Sequence, residues 1–204
     1  MILPIIAGIV VRQAVKYAAK QALKYGAKQL SKRALKQMMK KAQKRGEQVL
    51  RKEMQRRKNC KTCKKLEDLA DPCQFLRKGN PAGAGKYRGG SYGGAPGSKA
   101  GGLESHHIPA QAAYGRGSMS PGKMPAIQMD VADHRKTASW GPGGKGYARA
   151  QRQAMKKGGA MAAFAMDVAD IKMKFGNKYD TALTEAGAYV ACITKFKKKY
   201  PTGR

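Results

Sequence analysis

Apolar and polar positions divide the chain into three unlike stretches. From Arg12 to Lys58 the residues are dominated by Ala, Lys, Gln, Leu, Arg and Met, with no proline, which predicts one long basic helix. Val11, Val15, Ala18, Ala22, Leu30, Ala34, Met38 and Ala42 recur at three- and four-residue steps, interrupted at Gly26, and make an apolar stripe. Lys16, Lys20, Lys24, Lys28, Lys32, Lys36, Lys40 and Lys44 repeat every fourth residue. On a 3.6-residue helix that spacing drifts, so the lysines form one cationic ridge winding about the axis. Gly26 and Gly46 are the expected weak points.

Residues 60–102 read as a Cys-containing turn followed by a Gly-rich stretch, with ten glycines between Gly79 and Gly102. Such backbone loses much entropy on ordering, so it is either a flexible linker or a loop moulded onto its neighbour. Tyr87 and Tyr92 among the glycines favour packing. Residues 103–204 carry the patterns of a folded unit. Strands are predicted over 103–108 and 126–129, joined by a loop of Gly, Pro and polar residues. A helix is predicted to start at Asp130 as N-cap and to stop before Gly141-Pro142. Two more are predicted over 160–175 and 181–196, with Gly176-Asn177 as C-cap of the first and Asp180 capping the second. The fold class expected is α+β, with the three parts bounded at 1–59, 60–102 and 103–204. Residues 80–204 hold enough apolar side chains to suggest that they fold alone. The pentapeptide Met129-Asp130-Val131-Ala132-Asp133 recurs identically at 166–170 and is read as coincidence, not as a structural repeat.

Composition narrows the partner. The chain has 204 residues, with 42 Lys and Arg against 12 Asp and Glu, a formal net charge of +30. Residues 1–78 alone hold 22 basic and five acidic side chains. Self-repulsion on that scale opposes compaction and implies a polyanionic partner. Hydrophobic residues at 42% argue against full disorder. No run of about 18 apolar residues exists, so no transmembrane span is expected. The apolar run from Ile2 to Val11 has its basic residues after it, not before, which disfavours a cleavable signal peptide. Nucleic acid and an anionic membrane surface remain.

The chemistry concentrates at three histidines. His106, His107 and His134 are all the histidines of the chain and fall within 29 residues. Asp130 and His134, four apart, share one helix face. Neighbouring strand residues point oppositely, so one of His106 and His107 can bind metal while the other does separate work; the residue types do not decide which. Imidazole suits a divalent metal, and neutral imidazole is a competent base near pH 7.

At these residues the chain resembles the SHH-signature toxin nucleases (Tox-SHH) of the HNH/endonuclease VII superfamily, found at the C-termini of bacterial polymorphic toxins. The motifs are Lys86-Tyr87-Arg88-Gly89-Gly90-Ser91-Tyr92, Glu104-Ser105-His106-His107-Ile108-Pro109-Ala110 and Pro125-Ala126-Ile127-Gln128-Met129. They continue through Ala132-Asp133-His134-Arg135-Lys136-Thr137-Ala138-Ser139, Met166-Asp167-Val168-Ala169-Asp170-Ile171 and Phe175-Gly176-Asn177-Lys178-Tyr179-Asp180, so the likeness spans about 80–190. It implies a ββα-metal core with added C-terminal helices, two strands and a helix pinching one divalent cation (Mg, or a transition metal such as Zn, Ni or Mn). By the resemblance, His106 binds that metal, His107 is the general base that activates water, and His134 is the helix ligand. Asp130 is a third ligand or the N-cap, with the cap preferred; Asp133 ligates or steadies a histidine, and Glu104 steadies one. The central Asn of the HNH name has no counterpart, which leaves the base-orienting group unassigned. Arg88, Arg135 and Lys136, close by in sequence, are candidate phosphate clamps.

The resemblance further implies a metal-dependent endonuclease toxin, secreted or injected into a target-cell cytoplasm and restrained by an acidic immunity protein. DNA is the favoured substrate, although a cationic surface binds DNA and RNA alike and no aromatic platform for RNA bases is visible in the pattern. The alternative is a non-enzymatic basic protein, histone-like or membrane-active, which explains the charge but not the clustered histidines. Cys60-x-x-Cys63, Cys73 and Cys192 are read as reduced thiols in preference to a zinc site or an export-dependent disulfide, with Cys192 a buried small hydrophobe.

Overall fold

The computed structural model of the chain describes residues 32–79, 86–94, 102–115 and 118–200. The stripe from Val11 to Leu30, the ridge lysines before Lys32 and Gly26 lie outside them. The architecture is α+β: helix α1 (Lys32–Lys58), strands β1 (Gly89–Ser91), β2 (Leu103–His107) and β3 (Pro125–Asp130), then helices α2 (Val131–His134), α3 (Gly144–Phe175) and α4 (Asp180–Lys195). The strands form one antiparallel sheet in the order β1-β3-β2, with His106 opposite Ile127, His107 opposite Ala126 and Gly89 also opposite Ile127.

Helix α1 runs unbroken through Gly46. Its Leu35, Met38, Met39, Ala42 and Leu50 are buried, while Lys36, Lys40 and Lys44 face solvent. Met38 and Ala42, the buried described residues of the stripe, therefore belong to a core face packed on α4. The two helices meet closely at Gly46 and Gly187: a Cβ on Gly46 would sit 3.0 Å from the Ala188 carbonyl, and one on Gly187 would sit 2.5 Å from Ala42 Cβ. The position expected to weaken the helix instead permits its docking, which propensity alone does not reveal. Helix α1 thus adds Leu35, Met38, Met39 and Leu50 to the core built by residues 103–193.

Several local expectations give way to tertiary contacts. The glycine-rich stretch supplies a third strand, β1, with Tyr87 buried against Tyr179 at 4.6 Å between ring centroids. Helix α2 ends at His134 rather than near Gly141. There Thr137 Oγ1 donates to the His134 carbonyl at 2.8 Å and the Ala138 amide donates to Asp170 Oδ2 at 2.8 Å, so turn bonds replace the next helical turn. Helix α3 begins well before residue 160 and breaks at Gly158 and Gly159, the latter at φ 72°, a region closed to most side chains. Asp180 is the first residue of α4 rather than its cap, and its carboxylate takes the Lys172 ammonium at 2.7 Å.

The thiols are oxidised, contrary to the reduced reading. Cys60 pairs with Cys63, and Cys73 pairs with Cys192 across 119 residues. No local pattern announces the second bridge; the docking of residues 73–76 on α4 creates it. By loop entropy such a span contributes about 4–5 kcal/mol.

A buried polar link ties the two halves of α3 to the loop after β2. Gln151 Nε2 donates to Asp167 Oδ2 at 2.6 Å, and the Ala110 amide donates to Gln151 Oε1 at 3.0 Å. Burial, then the neighbouring Asp170 charge, pushes the Asp167 carboxyl well above the usual carboxylate range. A carboxyl raised in the folded state stabilises fully below its unfolded pKa and less as pH rises through its folded value. Asp167→Asn keeps the shape and cannot ionise. It is expected to melt above wild type at neutral pH, with the difference closing below about pH 4; thermal unfolding across that range checks it.

Candidate functional site

Strand β2 lies at the sheet edge, and its alternation puts Glu104 and His106 on one face and Ser105 and His107 on the other. The β3 strand runs straight into α2, which carries His134 back over the first face. The His106 and His134 rings meet with centroids 4.7 Å apart at 63°. His134 Nδ1 lies 2.7 Å from Glu104 Oε2. When that ring is neutral the carboxylate accepts Nδ1–H, and the Nε2 lone pair is left available.

His106 is 3% exposed, and its Nε2 is buried with no hydrogen-bond partner among the described residues. Burial first, then the neighbouring His134 and His107, hold it well below the usual imidazole range, so it is neutral at pH 7. An orphaned buried nitrogen beside a carboxylate-anchored imidazole fits two of the donors a divalent cation requires. Among the described residues no third His, Cys, Asp or Glu completes a group of three.

His107 sits in a different environment. Its ring stacks on Tyr92 with centroids 4.1 Å apart and planes 3° off parallel. Its Nε2 lies 3.4 Å from the Pro121 carbonyl. A carbonyl only accepts, so Nε2–H is directed at the Pro121 oxygen and Nδ1 is left as the basic atom. Burial lowers the His107 pKa, and the Pro121 contact partly opposes it. The loop bearing Pro121 is anchored by Tyr189 Oη, which donates to the Lys123 carbonyl at 2.7 Å. A contact to a backbone carbonyl leaves no side-chain signature, so the Pro121 partner of His107 is not legible in the sequence.

The candidate carboxylates Asp130 and Asp133 are committed elsewhere. Lys178 Nζ lies 2.6 Å from Asp130 Oδ2 and 2.6 Å from Asp133 Oδ2. Tyr87 Oη donates to Asp130 at 2.7 Å, Lys86 reaches it at 3.2 Å, and Tyr179 Oη donates to Asp133 at 2.8 Å. Asp130 occupies the N-cap position of α2, yet its side chain makes no cap bond. The Lys178 bond is the first cause pulling the Asp130 carboxyl down to about 2, with Tyr87 and Lys86 adding to it against a desolvation cost. Lys178 stands in the motif through Phe175 to Asp180 but carried no assigned role, because nothing local links it to a residue 45 positions away. Arg88, Arg135 and Lys136 are exposed, and among the described residues none of the three is in an ion pair.

Comparison of the chain with protein-family models, curated proteins and solved structures finds no match. Residue chemistry and geometry are what bear on the site.

The Lys178 clamp has a pH signature. An aspartate titrating at about 2 in the fold and near about 4 unfolded stabilises above the higher value and loses that contribution as pH falls through the lower one. Lys178→Met is therefore expected to melt below wild type above about pH 4, with the two curves converging toward about pH 2. Thermal unfolding at stepped acidic pH measures this.

Proposed function

We propose that the chain is a metal-dependent endonuclease that hydrolyses phosphodiester bonds of nucleic acid, with DNA the favoured substrate. The observation that carries the reading is the His106–His134 ring pair with Glu104 on His134 Nδ1, beside a half-buried His107 held by a backbone carbonyl. Strands β2 and β3 with helix α2 supply two strands and a helix around these histidines, the arrangement expected of a ββα-metal unit. His106 and His134 would hold the cation. When bound, it supplies neutralisation of the charge that develops on the phosphate and the departing oxygen.

The chain's own residues do the rest. His107 Nδ1 takes the proton of the attacking water, a contribution of about a hundred- to ten-thousandfold. Glu104 fixes the tautomer and orientation of His134. Arg88, Arg135 and Lys136 neutralise flanking phosphates. Lys36, Lys40 and Lys44 on the solvent face of α1 extend the cationic surface along the duplex. The two disulfides support passage through an oxidising compartment, as a secreted toxin makes. On this reading an acidic immunity protein restrains it in the producing cell. No helix of the described residues is long and apolar enough to cross a membrane, so an anionic membrane would be met through the basic helix at its surface.

Purified protein is expected to nick or degrade plasmid DNA with a divalent cation and not in excess chelator; undiminished cleavage in chelator overturns the metal assignment. Calorimetric titration of a divalent cation separates the roles. His107→Ala should lose turnover with near wild-type metal affinity, His134→Ala should bind metal weakly, and Glu104→Gln should lose about 10- to 100-fold in affinity. Weak binding in His107→Ala alone reverses the two histidine roles.

Because α1 belongs to the core, its ridge is tested by substitution rather than truncation. Replacing Lys36, Lys40 and Lys44 with Gln is expected to flatten the log–log dependence of DNA affinity on salt by about 0.9 per lost phosphate contact. Coincident slopes would remove the ridge from DNA binding.

A further inference from the structure

Two large apolar side chains stand exposed among the described residues, Tyr92 at 40% and Trp140 at 44%. Singly scattered exposed apolar groups need no explanation. These two are not scattered. Tyr92 stacks flat on His107, and Trp140 meets the His134 ring edge-on with centroids 4.9 Å apart. His134 in turn meets His106, and His106 and His107 are neighbours on the edge strand β2. The exposed rings therefore flank the edge strand, Tyr92 with His107 on one face and Trp140 with His134 and His106 on the other.

Charge is interleaved with them. Arg88 lies at the start of the strand that ends beside Tyr92, and Arg135 and Lys136 lie between His134 and Trp140; all three are exposed. Alternating cationic side chains and aromatic faces are what a strand with free bases requires, its phosphates held by charge and its bases by stacking. In a continuous duplex each base face is covered by its neighbour and offers such rings nothing.

We infer that Tyr92 and Trp140 are nucleobase-stacking surfaces on either side of the scissile phosphate, and that the substrate is nucleic acid with unstacked bases: a single strand, or a duplex opened at the site. The scissile phosphate rests on the endonuclease reading above; base stacking does not. Tyr92 supplies a face already aligned by His107, and Trp140 supplies the larger indole face beside His134. The pair would give the site a preference by strand state, which the surface charge cannot provide because phosphates occur in every form.

Trp140 is the chain's single tryptophan, so intrinsic emission reads that one ring. Full-length protein in chelator is titrated with oligothymidylate, oligouridylate, an abasic oligonucleotide of equal length, a matched blunt duplex and inorganic polyphosphate. Saturable quenching by oligothymidylate or oligouridylate, with little by the abasic strand, duplex or polyphosphate, is expected. Equal quenching by polyphosphate, or none by either oligomer, overturns the inference. Anisotropy of labelled oligothymidylate should then show about a five- to hundredfold loss of affinity for Tyr92→Leu and Trp140→Leu, and near wild-type affinity for Tyr92→Phe, which keeps the ring. All three variants are checked by thermal melting. Affinity unchanged in both folded Leu variants, or equally lost in Tyr92→Phe, overturns it; should a Leu variant not fold, the quenching series decides. Cleavage without base-dependent quenching would sink this inference alone, whereas base-dependent quenching without metal-dependent cleavage would sink the endonuclease reading and leave stacking intact.

Discussion

Backbone-to-backbone approach along α4 is the constraint on which the arrangement rests. That helix presents Ala182, Ala186, Gly187 and Ala188, small enough for other elements to close on it from two sides. On one side Ala42 and Gly46 bring α1 to van der Waals distance. On the other, Gly89 brings β1 so close to the Ala182 carbonyl that no Cβ fits between them. Strand β1 fixes the register of β3, and β3 fixes that of β2, which carries Glu104, His106 and His107. Larger side chains at these crossings would separate the layers at a cost of about 1–3 kcal/mol each. A helix with no candidate site residue thus decides where the histidines stand, and the Cys73–Cys192 bridge pins its far end.

The second organising term is the shortage of negative charge. With 12 acidic residues against 42 basic ones, most of the described carboxylates are spent on internal contacts. Glu53 takes Arg56 and Arg57, Asp71 takes Arg77, Asp170 takes Lys174, and Asp180 takes Lys172. Near the histidines the same economy holds: Glu104 faces His134, while Lys178 draws Asp130 and Asp133 together. The described lysines of the α1 ridge, Lys36, Lys40 and Lys44, face solvent without an acidic partner in the ion pairs above.

Much of the site was legible because it is local. A strand alternates, so His106 and His107 had to face opposite ways, and a helix start had to bring His134 near one of them. What was not legible is long-range or lies in the backbone: the Pro121 carbonyl at His107, Lys178 between the two aspartates, Trp140 against His134, and the Cys73–Cys192 bridge. Each depends on the path of a loop or on the packing of elements far apart in sequence, neither of which leaves a periodic trace.

The repeated pentapeptide marks the boundary between what the chain determines and what the fold decides. Met129-Asp130-Val131-Ala132-Asp133 ends a strand and starts a helix, whereas the identical residues from Met166 to Asp170 lie wholly within α3. In the first copy both carboxylates meet Lys178; in the second Asp167 is buried against Gln151 and Asp170 accepts the Ala138 amide. Sequence alone determined the helical and strand periods, the cationic surplus and the clustering of three histidines, because these follow from neighbours within a few residues. Conformation of the pentapeptide, oxidation of the cysteines, the docking of α1 and the partners of every acid near the site were decided by tertiary structure. Five identical residues have the same propensity wherever they stand, and only the surfaces packed against them differ.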